Sequence, residues 1–354
     1  MEKSQVEISK VLIIASMHRS GSSLTASLLQ SAGLHIGRRL MQPNEGNIKG
    51  YFENNEFYDF HKTVLKSQGI HEDGWTLQEK IDVEDRFVEQ AKELISGNSV
   101  SAIWGWKEPR TTLFLYFWGE LLPDANFLLI YRAPWEVVDS LYRQNYYAIF
   151  QSQPELAVKI WLHYNRKIIN FYNKFSQRCI LANLETIVKN TAIYTQAINQ
   201  KFQSELGLPA SNIYDAALLQ TQAVDSHWAS LINHYFPEAI ALYRELDARG
   251  WQPDETVDFA WLEQLKSSPY RVWAFQDWVE VRNLEKYRNT LQSELQQNQS
   301  QLQQQGEQFQ QSQSQLESRT EELGQTQSQW HQTQDELEDT KTQLHQVREE
   351  LGQT

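Results

Sequence analysis

Residues 11–23 read VLIIASMHRSGSS, and this stretch decides the fold. Val11 to Ala15 is a short, continuously apolar run, which is typical of a strand buried on both faces of a parallel sheet. Ser20 to Ala32 follows as an amphipathic helix, whose apolar face carries Leu24, Leu28 and Leu29. We therefore expect a strand, a short turn and a helix in direct succession.

Strand-like and helix-like segments continue to alternate after this unit. The predicted elements are a strand at Asn126–Tyr131, a helix from Pro134, a helix at Pro154–Phe175, a strand at Arg178–Asn183 and a helix at Glu185–Leu206. This alternation indicates an α/β domain with a central parallel sheet. The ligand of such a domain is expected beyond the carboxyl ends of the strands.

The charge of the chain divides into two parts. The 354 residues carry 32 basic and 45 acidic side chains, a formal net charge of −13. Residues 285–354 contain 12 acidic and 5 basic residues, and so residues 1–284 contain 33 and 27. We predict a first domain at 1–284 and a Gln-rich tail at 285–354. An acidic chain is not expected to bind nucleic acid, because that requires a basic face.

The tail has an apolar residue at every seventh position, which is typical of a helix that winds around a partner. These residues are Leu295, Leu302, Phe309, Leu316, Leu323, Trp330, Leu337, Leu344 and Leu351. The positions three and four residues away are mostly polar, so the buried area per heptad is small. Two interpretations stay open: a weak coiled coil that joins copies of the chain or a partner helix, and a solvated, partly helical tail.

The remaining composition limits the kind of site. One cysteine, Cys179, excludes disulfides and Cys-rich metal sites, and its apolar neighbours predict a buried thiol. We expect no transmembrane segment, because no apolar run approaches the length that spans a bilayer. A cytoplasmic location is the resulting expectation.

The turn at residues 16–23 is a candidate anion site. Gly21 and small hydroxyl residues at a helix start leave backbone N–H groups free to bind an anion. Arg19 adds positive charge, and Ser22 and Ser23 add hydroxyl donors. The spacing differs from that of a nucleoside-triphosphate loop, and no metal ligation of that kind is expected. An ordinary capping turn is the alternative interpretation.

A second anion-binding pair follows the strand at Asn126–Tyr131. Arg132 ends that strand, and Ser140 lies eight residues later on the next helix. An arginine and a hydroxyl in this arrangement could hold a second phosphate.

Together these motifs resemble the sulfotransferases that use 3′-phosphoadenosine 5′-phosphosulfate (PAPS). The HRSGSS loop has the Arg-Ser-Gly form of carbohydrate and protein-tyrosine members, and the Arg132/Ser140 spacing matches the family's 3′-phosphate motif. Three more segments resemble bacterial members: GYFEN at 50–54, WKEPRT at 106–111 and NLE at 183–185. The resemblance covers roughly residues 10–250. The C-terminal Arg-Lys-Gly element of cytosolic members is not visible, so adenine recognition is unassigned.

The resemblance implies a three-layer, P-loop-like fold, PAPS as the donor without a metal, and a hydroxylated acceptor, with a saccharide preferred. The implied 5′-phosphosulfate loop is His18, Arg19, Ser20, Gly21, Ser22 and Ser23; Arg132 and Ser140 would hold the 3′-phosphate. Lys107 would stabilise the bridging oxygen, with Arg110 as the substitute and an ion pair with Glu108 as the structural alternative.

Glu53 is the first choice for the general base, followed by His61 and His18. Two rival functions remain at this point. One is a kinase-like nucleotide enzyme, against which the missing Gly-Lys-Ser/Thr sequence counts. The other is a catalytically inactive scaffold that is assembled through the tail.

Overall fold

Four parallel strands form the centre of the computed structural model, which describes residues 9–42, 50–143, 148–210, 226–254 and 270–351. The strands are β1 (Lys10–Ser16), β2 (Ile103–Lys107), β3 (Asn126–Tyr131) and β4 (Cys179–Asn183), in the spatial order β2-β1-β3-β4. Ile13 lies opposite Trp106 on one side and Phe127 on the other. The predicted α/β fold with a central parallel sheet is confirmed.

Helices cover the strands in the order in which the chain connects them. They are α1 (Ser22–Ser31), α2 (Asn55–Ser67), α3 (Asp85–Asn98), α4 (Leu115–Leu121), α5 (Pro134–Tyr142), α6 (Ala148–Ser152), α7 (Pro154–Phe175), α8 (Leu184–Lys189), α9 (Thr191–Phe202), α10 (Ser226–Tyr235), α11 (Pro237–Arg249) and α12 (Tyr270–Leu351). Short 3₁₀ helices lie at Pro109–Phe114 and Ser176–Arg178.

The sheet is buried on both faces, which gives the three layers that the resemblance implies. Alternate residues of β1 enter different cores, because successive side chains of a strand point to opposite faces. Ile13 packs with the side chains of α2, α4, α5, α7 and α11. Leu12 and Ile14 pack with those of α1, α8 and α9. A strand with no polar face therefore needs the continuous apolar sequence that predicted it.

Strand β2 is the strand that the sequence did not predict. Its sequence is Ile-Trp-Gly-Trp-Lys, which has neither a clean alternation nor a continuous aliphatic run. Gly105 is required by its neighbour, since a Cβ at this position would lie 1.7 Å from the carbonyl oxygen of Leu12. The glycine that weakens the strand signal is thus the residue that lets β2 approach β1.

Two predicted helix bounds need correction. The predicted helix at Glu185–Leu206 is two helices, because Asn190 leaves the helical region at φ −134° and ψ 40°. Its side chain donates to the carbonyl of Thr186 at 3.0 Å, a local bond that competes with helix continuation. Helix α1 begins at Ser22 rather than Ser20, because Gly21 has φ +84°.

Contacts within the chain define two units, Met1–Tyr270 and Arg271–Thr354. The second consists largely of helix α12, and a helical tail is thereby confirmed. The predicted domain boundary between residues 284 and 285 stays a prediction. In the described part of the chain, no helix combines the length and the apolar character needed to cross a membrane.

Candidate functional site

The loop between β1 and α1 has a backbone that exposes the start of a helix. Arg19 and Gly21 both adopt left-handed conformations, at φ +66° and +84°. A side chain at Gly21 would also collide with Leu184, whose Cδ2 would lie 2.2 Å from the added Cβ. Within the described part of the chain, no side chain caps α1. The first N–H groups of this helix are therefore available to an anion, which the positive end of the helix dipole also favours.

Two buried polar atoms of this loop form no hydrogen bond with the residues that the structure describes. They are the hydroxyl oxygen of Ser20 and Nε2 of His18. Buried polar groups are nearly always hydrogen-bonded, and an orphaned one suggests a role with a ligand. Their position beside the free end of α1 fits an anionic group such as the phosphosulfate of PAPS.

The His18 ring is held among aromatic rings and cations. It packs against Trp75, with ring centroids 4.6 Å apart. Burial, followed by the positive charge of Arg110, holds the pKa of His18 well below its usual range. His18 is therefore neutral at physiological pH.

Arg19 contacts both residues of the second predicted anion-binding pair, Arg132 and Ser140. Its Nε donates a hydrogen bond of 2.9 Å to the hydroxyl of Ser140 on α5. Arg132 directs Nη1 to the carbonyl oxygen of Arg19 at 3.5 Å and pairs through Nε with Glu136 at 3.1 Å. The structure thus brings Arg19, Arg132 and Ser140 together, as the resemblance implies.

Lys107 lies at the carboxyl end of β2 and has three oxygen partners. Its Nζ donates to the hydroxyl of Ser23 at 3.1 Å, to the carbonyl of Tyr51 at 3.1 Å and to Glu53 at 2.8 Å. Lys107 and Glu53 are both buried. The structure thus joins the three predicted segments that contain Ser23, Glu53 and Lys107.

The alternative pairing of Lys107 with Glu108 is wrong. Successive residues of a strand point to opposite sides, and Glu108 instead bonds Arg110 at 2.5 Å and His61 at 2.7 Å. Burial alone would raise the pKa of Glu108, but Arg110 and His61 hold this pKa down to about 2. Glu108 is therefore an ionised carboxylate in the interior.

Arg110 and His61, the two residues named as alternatives for catalytic roles, are both engaged in the cluster around Glu108. Arg110 donates to the carbonyl of Glu72 at 2.7 Å and stacks on Tyr58, besides its pair with Glu108. His61 is fully buried: Nδ1 faces Glu108, and Nε2 accepts from the indole of Trp118 at 2.9 Å. With both ring nitrogens engaged, His61 is a poor general base, and Arg110 is not placed to replace Lys107.

The segment Asn183-Leu184-Glu185 has a structural role at the end of β4. Asn183 caps α8 by accepting from the backbone N–H of Glu185 at 2.9 Å, and its amide donates to Tyr243 at 3.1 Å. Leu184 supports the anion loop through its contact with Gly21. Glu185 is exposed and pairs with Lys189.

Sequence reasoning missed the contacts that fix the Glu53 loop. Asn54 caps α2 by accepting from the N–H of Glu56 at 2.9 Å, and its amide donates to Asn98 at 2.9 Å. The cap could have been found, since asparagine followed by an acidic residue is a helix-start signal. The bond to Asn98 joins residues 44 apart and has no local signal. Among the described residues, no three potential metal ligands of the His, Cys, Asp or Glu type come together.

No protein-family model matches the chain, and no curated protein matches it. Among solved structures, it is similar to the sulfotransferase domain of the Synechococcus olefin synthase, with 16% identity and a TM-score of 0.42 over 69% of this chain and 97% of that one. A sulfotransferase from Alicyclobacillus acidocaldarius has 12% identity and a TM-score of 0.40 over 69% and 97%.

The sulfotransferase domain from the curacin biosynthetic pathway has 15% identity and a TM-score of 0.34 over 58% of this chain and 76% of that chain. All three structures are described as sulfotransferases or sulfotransferase domains. The chain is thus similar in backbone to sulfotransferase domains, at a level that assigns it no reaction.

Proposed function

We propose that this chain transfers the sulfuryl group of PAPS to an acceptor hydroxyl, with a saccharide as the preferred acceptor. One observation carries the proposal: cations from three neighbouring strand ends converge on the free start of α1. Arg19 follows β1, Lys107 ends β2 and Arg132 follows β3. Such a set suits a ligand with two separate anionic groups, because each group needs its own donors.

In the proposed complex, the loop N–H groups, Ser20 and Arg19 hold the 5′-phosphosulfate, and Arg132 and Ser140 hold the 3′-phosphate. Ser22 and Ser23 orient the donor from the first turn of α1. Lys107 already bonds Ser23, so a small movement of its ammonium group would place it on the bridging oxygen. Fixed cations at that oxygen stabilise the charge that develops as the leaving phosphate departs.

Glu53 is the proposed general base. The acceptor oxygen forms a bond to sulfur as the bond from sulfur to the phosphate oxygen breaks, and the hydroxyl proton passes to the Glu53 carboxylate. The products are the sulfated acceptor and adenosine 3′,5′-bisphosphate. Glu53 and Lys107 are paired at 2.8 Å, and this contact supports the proposal that the base and the stabiliser of the leaving group lie side by side.

The test is ligand-dependent thermal stabilisation of the full chain. Adenosine 3′,5′-bisphosphate should raise the Tm more than ATP with magnesium does, since binding to the native state alone stabilises it. Preference for ATP would contradict the proposal and favour a kinase-like enzyme. Stabilisation by the bisphosphate without sulfuryl transfer to any of a panel of saccharides would favour the inactive scaffold.

The Arg132→Ala variant separates the two phosphate sites. It should bind adenosine 3′,5′-bisphosphate at least tenfold more weakly in calorimetry, because a charged hydrogen-bond donor to phosphate is lost. The matched control is Arg143→Ala, which removes a half-exposed arginine that follows α5 and pairs with Asp139. Equal affinity of Arg132→Ala and the unsubstituted chain would refute the 3′-phosphate assignment.

A further inference from the structure

Helix α12 carries an apolar line that the described residues of the chain leave uncovered. From Leu295 to Leu344, the eight residues of the seven-residue repeat each expose between 53% and 70% of their surface. The repeat includes Phe309 and Trp330, two large aromatic side chains. A line of this length is far from the scattered surface leucines that ordinary proteins show.

The helix has little intrinsic support in the absence of a partner. Gly306 and Gly324 lie in its interior, and glycine is among the poorest helix formers. Thr290, Ser300 and Thr320 bond the carbonyl four residues earlier on the same helix, a contact that does not strengthen it. Long helices in water depend mainly on the packing of an apolar face. A packing partner of α12 must therefore present apolar side chains at the same seven-residue spacing.

The flanking residues define the heptad positions. Val347 lies three residues after Leu344, which is the spacing from a to d, and Leu291 lies four residues before Leu295, which is the spacing from d to the next a. Leu284 lies one heptad before Leu291. The repeat therefore occupies a, and Leu284, Leu291 and Val347 occupy d. Between Asn298 and Thr340, every d residue is polar.

This asymmetry selects the partner and its direction. In a parallel pair in register, each a residue faces the a residue of the other helix, so leucine meets leucine along the repeat. In an antiparallel pair, a faces d, and the leucines would meet polar side chains. A second copy of this chain supplies the required seven-residue line in full.

Charge agrees with the parallel arrangement. Glu336 falls at g and Lys341 at e of the following heptad. In a parallel two-stranded coiled coil these positions lie next to each other across the interface and form ion pairs. Two such pairs arise by symmetry, one on each side.

We propose that α12 pairs with α12 of a second copy of the chain as a parallel, in-register, two-stranded coiled coil. This pairing is independent of the proposed reaction. A failure of sulfuryl transfer would leave it standing, and a single-copy protein could still bind the donor.

The first test measures the mass of the full chain by sedimentation equilibrium. The unsubstituted chain should have twice the mass of one copy. The variant Leu316→Lys/Leu323→Lys places charge in the interface and should have the mass of one copy. The control Ser318→Lys/Gln325→Lys adds the same charge on the outer face and should stay a dimer. A single-copy mass for the unsubstituted chain would overturn the proposal.

The second test establishes direction and register. Thr340→Cys at d should form a disulfide-linked dimer on mild oxidation, whereas the control Asp339→Cys at c should not. In an antiparallel pair centred on Leu323, the two cysteines would lie about 50 Å apart and could not join. The native Cys179 is buried and does not compete. A dimer without the cross-link would overturn the parallel arrangement.

A third test exchanges the charges of the Glu336/Lys341 pair and leaves the leucines of the interface unchanged. Glu336→Lys and Lys341→Glu should each weaken the dimer severalfold, since like charges then face each other. The double exchange Glu336→Lys/Lys341→Glu should restore the affinity. Additive loss in the double variant would contradict the proposed register.

Discussion

Two buried ion pairs arise from four consecutive residues, and they serve different purposes. Lys107 reaches Glu53 across 54 residues and also bonds Ser23 on the helix that begins the anion loop. Arg110 pairs with Glu108, only two residues away, within a cluster closed by His61. Both pairs join a cation to a carboxylate in the interior. The difference lies in their bonding partners, because Lys107 also bonds Ser23 on the helix that follows the anion loop, whereas Glu108 bonds Arg110 and His61.

This comparison shows that residue type does not assign a role. Lysine and arginine in one short segment are equal candidates by charge, and so are Glu53 and Glu108. The strand end separates them, since β2 stops at Lys107 and the chain then turns into a 3₁₀ helix. The predictions below test whether one pair affects stability and the other affects turnover.

The largest expected effect is on stability, through the closed cluster formed by Glu108, Arg110 and His61. Glu108→Ala should lower the free energy of unfolding by about 3–5 kcal/mol, because the buried Arg110 loses the shorter of its two carboxylate pairs and keeps the longer one with Asp73, at 3.4 Å. Denaturant unfolding measures the loss. The control Glu89→Ala removes an exposed glutamate that pairs with Lys92, and it should change stability little. Unaltered stability of Glu108→Ala would erase the distinction between the two pairs.

The next effect falls on turnover. Glu53→Gln should lower sulfuryl transfer on the order of 100-fold, or about 2.7 kcal/mol of barrier, because the amide cannot accept the acceptor's proton. The variant keeps the shape of the side chain and an oxygen that can accept from Lys107, so affinity for adenosine 3′,5′-bisphosphate should stay near that of the unsubstituted chain and the Tm should fall less than in Glu108→Ala. Steady-state kinetics with calorimetry separates these quantities. Turnover near normal with intact donor binding would remove Glu53 from the role of base.

The smallest effect is the pH dependence of stability, which should come from the closed cluster. Burial lowers the pKa of His61, and Arg110 and His61 hold the pKa of Glu108 at about 2. A lowered folded-state pKa stabilises the fold above the unfolded-state pKa, and this stabilisation is lost as pH falls. The His61 contribution should fade below about pH 6.5, and that of Glu108 between about pH 4.3 and 2.

The measurement is the free energy of unfolding between pH 7.5 and 5. His61→Gln should reduce its slope by up to about 1.4 kcal/mol per pH unit below pH 6.5, because one fewer proton is taken up on unfolding. The control His71→Gln replaces an exposed histidine, and the effect specific to His61 is the difference in slope between the two variants. An equal slope for His61→Gln and the unsubstituted chain would show that the cluster does not titrate in this range.

Local sequence predicted the elements that are determined locally. The continuous apolar runs of β1 and β3 and the proline at the start of α7 placed these elements to within a residue or two. Strand β2 was missed because its central glycine is required by the close approach of the neighbouring strand β1. The break at Asn190 was missed because a single side-chain bond decides it.

The features of the candidate site likewise divide into those with a local sequence signal and those set by tertiary contacts. The loop at 18–23 and the Arg132/Ser140 spacing are local patterns, and the parallel topology then brings them together at one edge of the sheet. The partner of Lys107 is a tertiary fact, because Glu53 enters from a loop that no spacing rule connects to β2. The catalytic and donor-binding roles of these residues remain predictions for the experiments above.

Arg19 has a consequence for attempts to improve this protein. An arginine held in the left-handed region costs about 1–2 kcal/mol relative to ordinary backbone, and glycine would avoid this cost. A search for heat-resistant variants would therefore tend to select against the side chain that bonds Ser140. If Arg19 holds the donor as proposed, thermal robustness and donor affinity are opposed at this position, and a screen on Tm alone would enrich variants that survive heating and bind the donor less tightly.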